Sequence, residues 1–446
     1  MSMIAKVAAA LQSVFGACAE IAAEESKVIQ RRRKFTPQSL AQVFVLALLQ
    51  NPRANSEDMA SMAAASGIEV SHQAVEQRYS LRLVEFFREL FQQMTKQVVS
   101  SDTALAKLLE RFTEVIVIDS SVITLPDSQQ ENFRGCGGSY EGGKSALKLQ
   151  TELELRGGEL RCVQIEQGRS PDGASDRQHV AFAPGSLRLA DLGYFNLPVL
   201  KRIAASKAFF LTRLPHHTKI YFAAKKHDVV AWLKSQGRML VDTWIEIGSE
   251  ARVQCRLIAW RVPEEVANRR RQKLIEKTRS KTGRAPTAES LASCDWELLV
   301  TNLPEDQLGV KEAVVLYRSR WQIELLFKRW KSLCLIDELD GRNDVVTMVR
   351  FWARLCGVLI QHWLTVGAAW SDALHLSFTK VAKLVRKFAK DLAIALSSAG
   401  DVELIIERFC TMARTGCRRN KRRKHPGTIQ LLRNPELLDY TLIGLT

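Results

Sequence analysis

The chain has 446 residues, 46% hydrophobic and 25% charged, which suits a globular protein with a sizeable core and excludes a disordered or fibrous chain. Lys and Arg total 64 against 48 Asp and Glu, so the net charge is +16. An excess of that size suits a polyanionic partner, of which nucleic acid is the usual one.

In chain order, Met1 to Ile29 mixes alanine with Glu20, Glu24 and Glu25 and shows no apolar stretch ending in a cleavage site, so no signal peptide is expected. No run approaches the roughly 20 apolar residues that span a bilayer. The nine cysteines include no Cys-x-x-Cys pair, which indicates neither a zinc site nor a disulfide framework, and a reduced cytoplasm fits. Residues to about Leu109 read as helices. Thr36-Pro37 is a capped helix start, and Leu40, Val43, Phe44, Ala47 and Leu48 give a buried face. A helix after Asn55-Ser56 stops at Gly67, and another starts after Ser71. The pair resembles a helix-turn-helix, with Gln73, Gln77 and Arg78 as candidate contacts to DNA; tight helical packing is the alternative.

From Phe112 the texture becomes that of strands. Val115 to Ile118 is a continuous β-branched run, as a strand covered on both faces needs. Leu147–Arg156 and Glu159–Gln167 read as a hairpin around Gly157-Gly158. Leu187–Ala190 reads as a strand, Tyr194–Ala205 as a helix and Ala208–Leu214 as a strand. Residues 215–302 read as an inserted β-rich subdomain, with a polar stretch from Arg261 to Ser290 that is either a basic arm or a solvated charged helix. The chain is helical again after Gly309 and ends near a basic run, Arg418 to Lys424. The expected parts are a helical DNA-binding region (1–109), a first core part (110–214), the insertion (215–302), a glutamate helix (303–345) and a helical C-terminal region (346–446).

Two aspartates end strand-like runs: Asp119 in Val-Ile-Val-Ile-Asp and Asp191 in Leu-Arg-Leu-Ala-Asp. Carboxylates at the carboxyl ends of buried strands stand where α/β sheets build their sites, although turn-capping is the bland reading of each alone. Further on, Leu316 to Lys331 reads as one amphipathic helix. At about 100° per residue, Tyr317, Arg320, Glu324 and Lys331 share an arc of about 60°. An i, i+4 salt bridge explains Arg320 and Glu324, but not the tyrosine and lysine beside them.

The spacing Tyr-x2-Arg-x3-Glu-x6-Lys, together with Asp119 and the Asp191-Leu-Gly-Tyr-Phe stretch, resembles the YREK signature of the insertion-sequence-four family of bacterial DDE transposases. The resemblance spans about Phe112 to Lys331. It implies an α/β, RNase H-like mixed sheet of the retroviral integrase kind, interrupted by an insertion and flanked by helical regions. It also implies that Asp119, Asp191 and Glu324 hold two Mg²⁺ or Mn²⁺ ions for in-line displacement at phosphorus. Tyr317, Arg320, Lys331 and Lys328 would meet phosphates of the transposon end. Arg213 would touch DNA, and Trp296 would stack on a flipped base in a hairpin step. The implied partners are double-stranded DNA, as transposon ends and target, and a second copy in a paired-end homodimer; the implied place is the bacterial nucleoid. The alternatives are an RNase H-like nuclease or resolvase, which needs only the carboxylates, and a non-catalytic transposase-derived regulator, which needs none of them.

Overall fold

In the computed structural model, residues 1–30, 34–136, 144–339, 343–398, 400–420 and 425–439 are described. The strands are β1 (Val115–Thr124), β2 (Ala146–Glu154), β3 (Leu160–Gln167), β4 (Leu187–Ala190), β5 (Phe209–Arg213), β6 (Lys219–Phe222), β7 (Lys225–Asp228), β8 (Leu240–Ile247), β9 (Val253–Arg261) and β10 (Trp296–Thr301). The N-terminal helices are α1 (Met3–Ser13), α2 (Ala19–Ser26), α3 (Pro37–Gln50), α4 (Ser56–Ala65), α5 (His72–Glu76) and α6 (Leu81–Met94). They are followed by α7 (Leu197–Ala205), α8 (Val229–Gln236), α9 (Glu264–Thr282), α10 (Ala288–Ser293), α11 (Val310–Ser319) and α12 (Trp321–Cys334). Last come α13 (Asp344–Ala369), α14 (Phe378–Ser397), α15 (Val402–Gly416) and α16 (Thr428–Arg433).

The chain divides into two compact units. The first comprises Met1–Leu105, Ser120–Ser170 and Gln322–Lys421; the second comprises Ala106–Asp119, Pro171–Trp321 and Arg422–Thr446.

In the first unit, α13 is the central helix. It packs against α1, α3, α6, α14 and α15, and most of its side chains are buried around its whole circumference, as a helix wrapped by others requires. Local signals set the boundaries. Thr36 caps α3 with Pro37 in its first turn, Asn55 caps α4, and Gly67 at φ +77° turns the chain after it. Contrary to the sequence expectation, Met3–Ser26 is long and apolar enough to cross a membrane by length and composition. Its Val7, Leu11, Val14 and Ala19 are fully buried among the helices of this unit, which is the packing of a core helix. The presumed recognition helix is shorter than expected: α5 covers five residues, and Gln77 and Arg78 lie beyond its end because Ser80 starts α6 almost at once.

This unit also holds the hairpin of β2 and β3, in the order β3-β2-β1, turned by Gly157-Gly158 as the diglycine predicts. Gly158 sits at φ +81°, and a Cβ there would lie 2.6 Å from the Trp370 ring. Trp370 Nε1 in turn donates to the Arg156 carbonyl at 2.7 Å, and His362 Nε2 meets the Gly158 carbonyl at 2.7 Å. Gly158→Ala is therefore expected to destabilise the protein by more than about 1 kcal/mol, since the positive φ alone costs about that much. Chemical denaturation of the two proteins checks it.

In the second unit the order is β1-β4-β5-β10-β9-β8-β6-β7. β1, β4 and β5 are parallel; β10 is antiparallel to β5, and the remaining pairs are antiparallel. The mixed α/β class with an RNase H-like core is thus the observed one. β4 and β10 are buried at every position, including the charged Arg188 and Glu297 that interrupt their apolar residues. The insertion extends this sheet, because β10 pairs on one side with β5 and on the other with β9. All nine cysteines are free, and seven of them are buried.

Candidate active site

The two aspartates meet through strand register. Ile118 pairs with Ala190 in the parallel β1–β4 ladder, so Asp119 and Asp191 are each the next residue on adjacent strands. Neighbouring strands are about 4.8 Å apart, which puts two carboxylates side by side. Asp191 follows the last residue of β4 in extended conformation. Asp119 does not end its strand, as the sequence suggested. β1 runs on to Thr124, and Asp119 stands where its parallel partner stops.

Like charges at that spacing need compensation, and the end of α11 and the residue after it supply it. Tyr317 Oη donates to Asp191 Oδ1 at 3.2 Å, and Arg320 Nη1 donates to Asp119 Oδ2 at 3.2 Å. The Tyr317 hydroxyl is pushed well above its usual pKa, first by burial and then by the Asp191 carboxylate, so it remains a donor. The expected single helix is two. α11 ends at Ser319 and α12 begins at Trp321, with Arg320 at the junction in helical dihedrals.

A cavity of about 550 Å³ adjoins this pair within the second unit, lined among others by Arg213, Arg270, Glu297, Tyr317, Arg320 and Trp321. Its organiser is Glu297 on β10. Arg213 Nε donates to Glu297 Oε1 at 2.6 Å, and Arg270 pairs with the other oxygen. Burial opposes ionisation of Glu297, but the two guanidinium groups outweigh it and hold its pKa below the usual carboxylate value. Arg213 is likewise disfavoured by burial and then raised by Glu297, with Tyr317 and Asp191 adding to the effect.

Strand alternation separates Glu297 from its neighbour. Glu297 and Leu299 line the cavity, whereas Trp296, 6% exposed, packs with Leu298 and Val300 into the core on the opposite face. The expectation that Trp296 stacks on a base is therefore corrected to a packing role. The cavity-lining tryptophan with an exposed ring is Trp321, 45% exposed. Glu297, Arg270 and Trp321 were missed by the sequence reading. A carboxylate inside Trp-Glu-Leu-Leu-Val-Thr, an otherwise apolar strand, was the available signal.

Glu324, Lys328 and Lys331 belong to the first unit, on α12 one to three turns beyond Arg320, with Glu324 half-buried. Lys331 Nζ donates to the Val122 carbonyl at 3.1 Å, so α12 lies on the second half of β1 there. Gln77 and Arg78 share an open cavity of about 860 Å³ with Lys34 and Arg82, the Arg78 guanidinium lying 5.3 Å from the centre of the Phe35 ring; Gln73 is exposed nearby in sequence on α5. Of the C-terminal basic run, Lys421 to Lys424 lie outside the described residues. Among the described residues no three His, Cys, Asp or Glu side chains already stand at metal-holding spacing. The donor set nevertheless suits a hard cation, because adjacent carboxylate oxygens are the ligands Mg²⁺ prefers.

The fold is thus a mixed α/β sheet whose parallel strands β1 and β4 bring two aspartates together beside arginines. The description of the transposase DDE domain matches residues 110–360. The chain belongs to the DDE-domain transposases. It is 26% identical over 367 residues to the transposase for insertion sequence element IS231F of Bacillus thuringiensis subsp. israelensis, covering 77% of this chain and 75% of that one. It is 27% identical over 363 residues to the transposase for IS1151 of Clostridium perfringens, covering 76% and 75%. A shorter match, 30% over 185 residues, is to the putative transposase InsL for IS186A of Escherichia coli strain K12, covering 39% and 50%.

Proposed function

We propose that this protein is a cut-and-paste transposase of an insertion sequence, of the insertion-sequence-four type with the YREK signature. The observation that carries the reading is the registered pair Asp119 and Asp191, each held by a residue of the Tyr317-x2-Arg320 motif. In this reading Asp119, Asp191 and Glu324 hold two divalent ions, Mg²⁺ or Mn²⁺. When bound, these ions activate the attacking oxygen and stabilise the leaving one.

The protein's own groups do the rest. Arg320 and Tyr317 orient the carboxylates and, with Lys328 and Lys331, bind phosphates of the transposon end. Arg213 and Arg270 present positive charge in the cavity beside them, with Glu297 fixing both guanidinium planes. An end opened through a hairpin requires one base to leave the stack, and Trp321 offers it an exposed ring. The face with Gln73, Gln77 and Arg78 reads the end sequence, and two copies pair two ends on the nucleoid.

The test uses the full-length protein and a labelled duplex carrying the terminal repeat of its own element and flanking DNA. Nicked, hairpin and fully cut products are separated on a denaturing gel with Mg²⁺, with Mn²⁺ or with chelator. Metal-dependent cutting confined to the repeat boundary is expected. Equal cutting of unrelated duplexes would favour the nuclease reading, and specific binding without cutting in either metal would favour the regulator.

A further inference from the structure

The helix α9 behaves differently along its length. Its first turns are fastened to the second unit. Val266 and Arg270 line the cavity beside Tyr317, Arg270 pairs with Glu297, and Arg271 pairs with Asp295 and Glu264. Beyond Arg271 the helix continues to Thr282, about 16 Å at roughly 1.5 Å per residue, without a single buried side chain.

A helix normally keeps apolar residues on the face by which it packs. At about 100° per residue, Lys273, Lys277 and Lys281 continue the face of Val266 and Arg270, all five falling within an arc of about 80°. All three lysines are exposed, and among the described residues none has an ion-pair or hydrogen-bond partner. The acidic residue in this stretch, Glu276, is the i+3 neighbour of Lys273, about 60° round the helix, yet among the described residues it makes no ion pair with it. The cavity-facing side of α9 therefore runs outward from the acidic site as a row of three lysines, about 6 Å apart along the axis. The buried Ala267 and the half-buried Leu274 and Thr278 lie about 60–100° round the helix from Lys277, so the lysines flank the packed face and stand open to an anionic partner of regular spacing and some length.

We propose that this row of α9 binds the phosphate backbone of duplex DNA running outward from the cavity, as an extended clamp on DNA next to the cleaved position. The proposal rests on the transposase reading. Backbone contact of this kind carries no sequence preference, so it adds affinity to any duplex that enters the site.

The experiment measures binding of the full-length protein to a duplex of arbitrary sequence, and to one carrying the element's terminal repeat and flank, over a series of salt concentrations. The variant combines Lys273→Gln, Lys277→Gln and Lys281→Gln. A control combines Lys225→Gln, Lys226→Gln and Lys234→Gln, three exposed lysines of the same unit with the same charge loss. Each lost phosphate contact lowers the slope of log K against log salt by about 0.9. The α9 variant is expected to lose about 2 to 3 in slope and at least about tenfold in affinity at 0.1 M salt on both duplexes. The control variant should stay close to wild type, and replacing the three lysines by arginine should keep the slope. An unchanged slope in the α9 variant, or equal losses in the variant and the control, would overturn the proposal. Absence of salt-dependent duplex binding by the unmodified protein would instead overturn the function on which it rests.

Discussion

Asp119→Asn, Asp191→Asn and Glu324→Gln each abolish metal-dependent strand cleavage while leaving DNA affinity within a few-fold of wild type. This is the expected result if the three carboxylates hold metal and the cations hold DNA. Changes one shell away from a metal cost about 10- to 100-fold, so loss of a direct ligand should exceed about 100-fold in cleavage rate. Affinity comes from Lys and Arg on phosphates and is not reduced by removing negative charge. The amide variants keep side-chain shape, so Arg320 and Tyr317 retain an oxygen to bond. Single-turnover cleavage of a labelled end and binding to the same duplex are the two measurements, with thermal unfolding to show that each variant is folded. Cleavage near the wild-type rate by any one of them would remove that residue from the site.

The second large effect lies in stability. Glu297 is 9% exposed and holds two arginines, whose side chains keep about a third of their surface in solvent at 35% and 33%. Glu297→Gln leaves both guanidinium groups without their carboxylate and is expected to cost about 3 kcal/mol. That is the lower end of the roughly 3–5 kcal/mol for breaking a buried ion pair, because the arginines are partly solvated. The pH dependence has a definite sign. The folded-state pKa of Glu297 is depressed, so its contribution is present above the pKa of an unfolded glutamate and is lost as pH falls through the lower, folded value. The stability gap between wild type and Glu297→Gln should therefore be full near neutrality and close on strong acidification. Denaturant midpoints of the two proteins at pH 7 and in acid measure it; a gap that stays constant into acid would show that packing rather than charge makes the difference.

Much of this was legible in the sequence because it is local. A continuous β-branched run marked β1 as a covered strand, hydroxyl and amide caps fixed the starts of α3 and α4, and Gly157-Gly158 fixed the hairpin. The net charge and the spacing of Tyr317, Arg320, Glu324 and Lys331 pointed to the DDE transposases before any contact was known.

Tertiary structure alone decided what depends on register and on which face a strand presents. The juxtaposition of Asp119 with Asp191 comes from the pairing of Ile118 with Ala190, a long-range ladder that no local pattern encodes. Trp296 and Glu297 are adjacent in sequence, yet strand alternation sends the ring to the core and the carboxylate to the cavity, and the choice between the two faces is made by what packs on each. The α9 lysines read in the sequence as either a basic arm or a solvated charged helix. Only the anchoring of Arg270 at one end of the helix shows that they continue the side that lines the cavity. Local propensity and periodicity determine which elements form; the direction each side chain faces is settled when non-local pairs close, and the chemistry of this site depends on those directions.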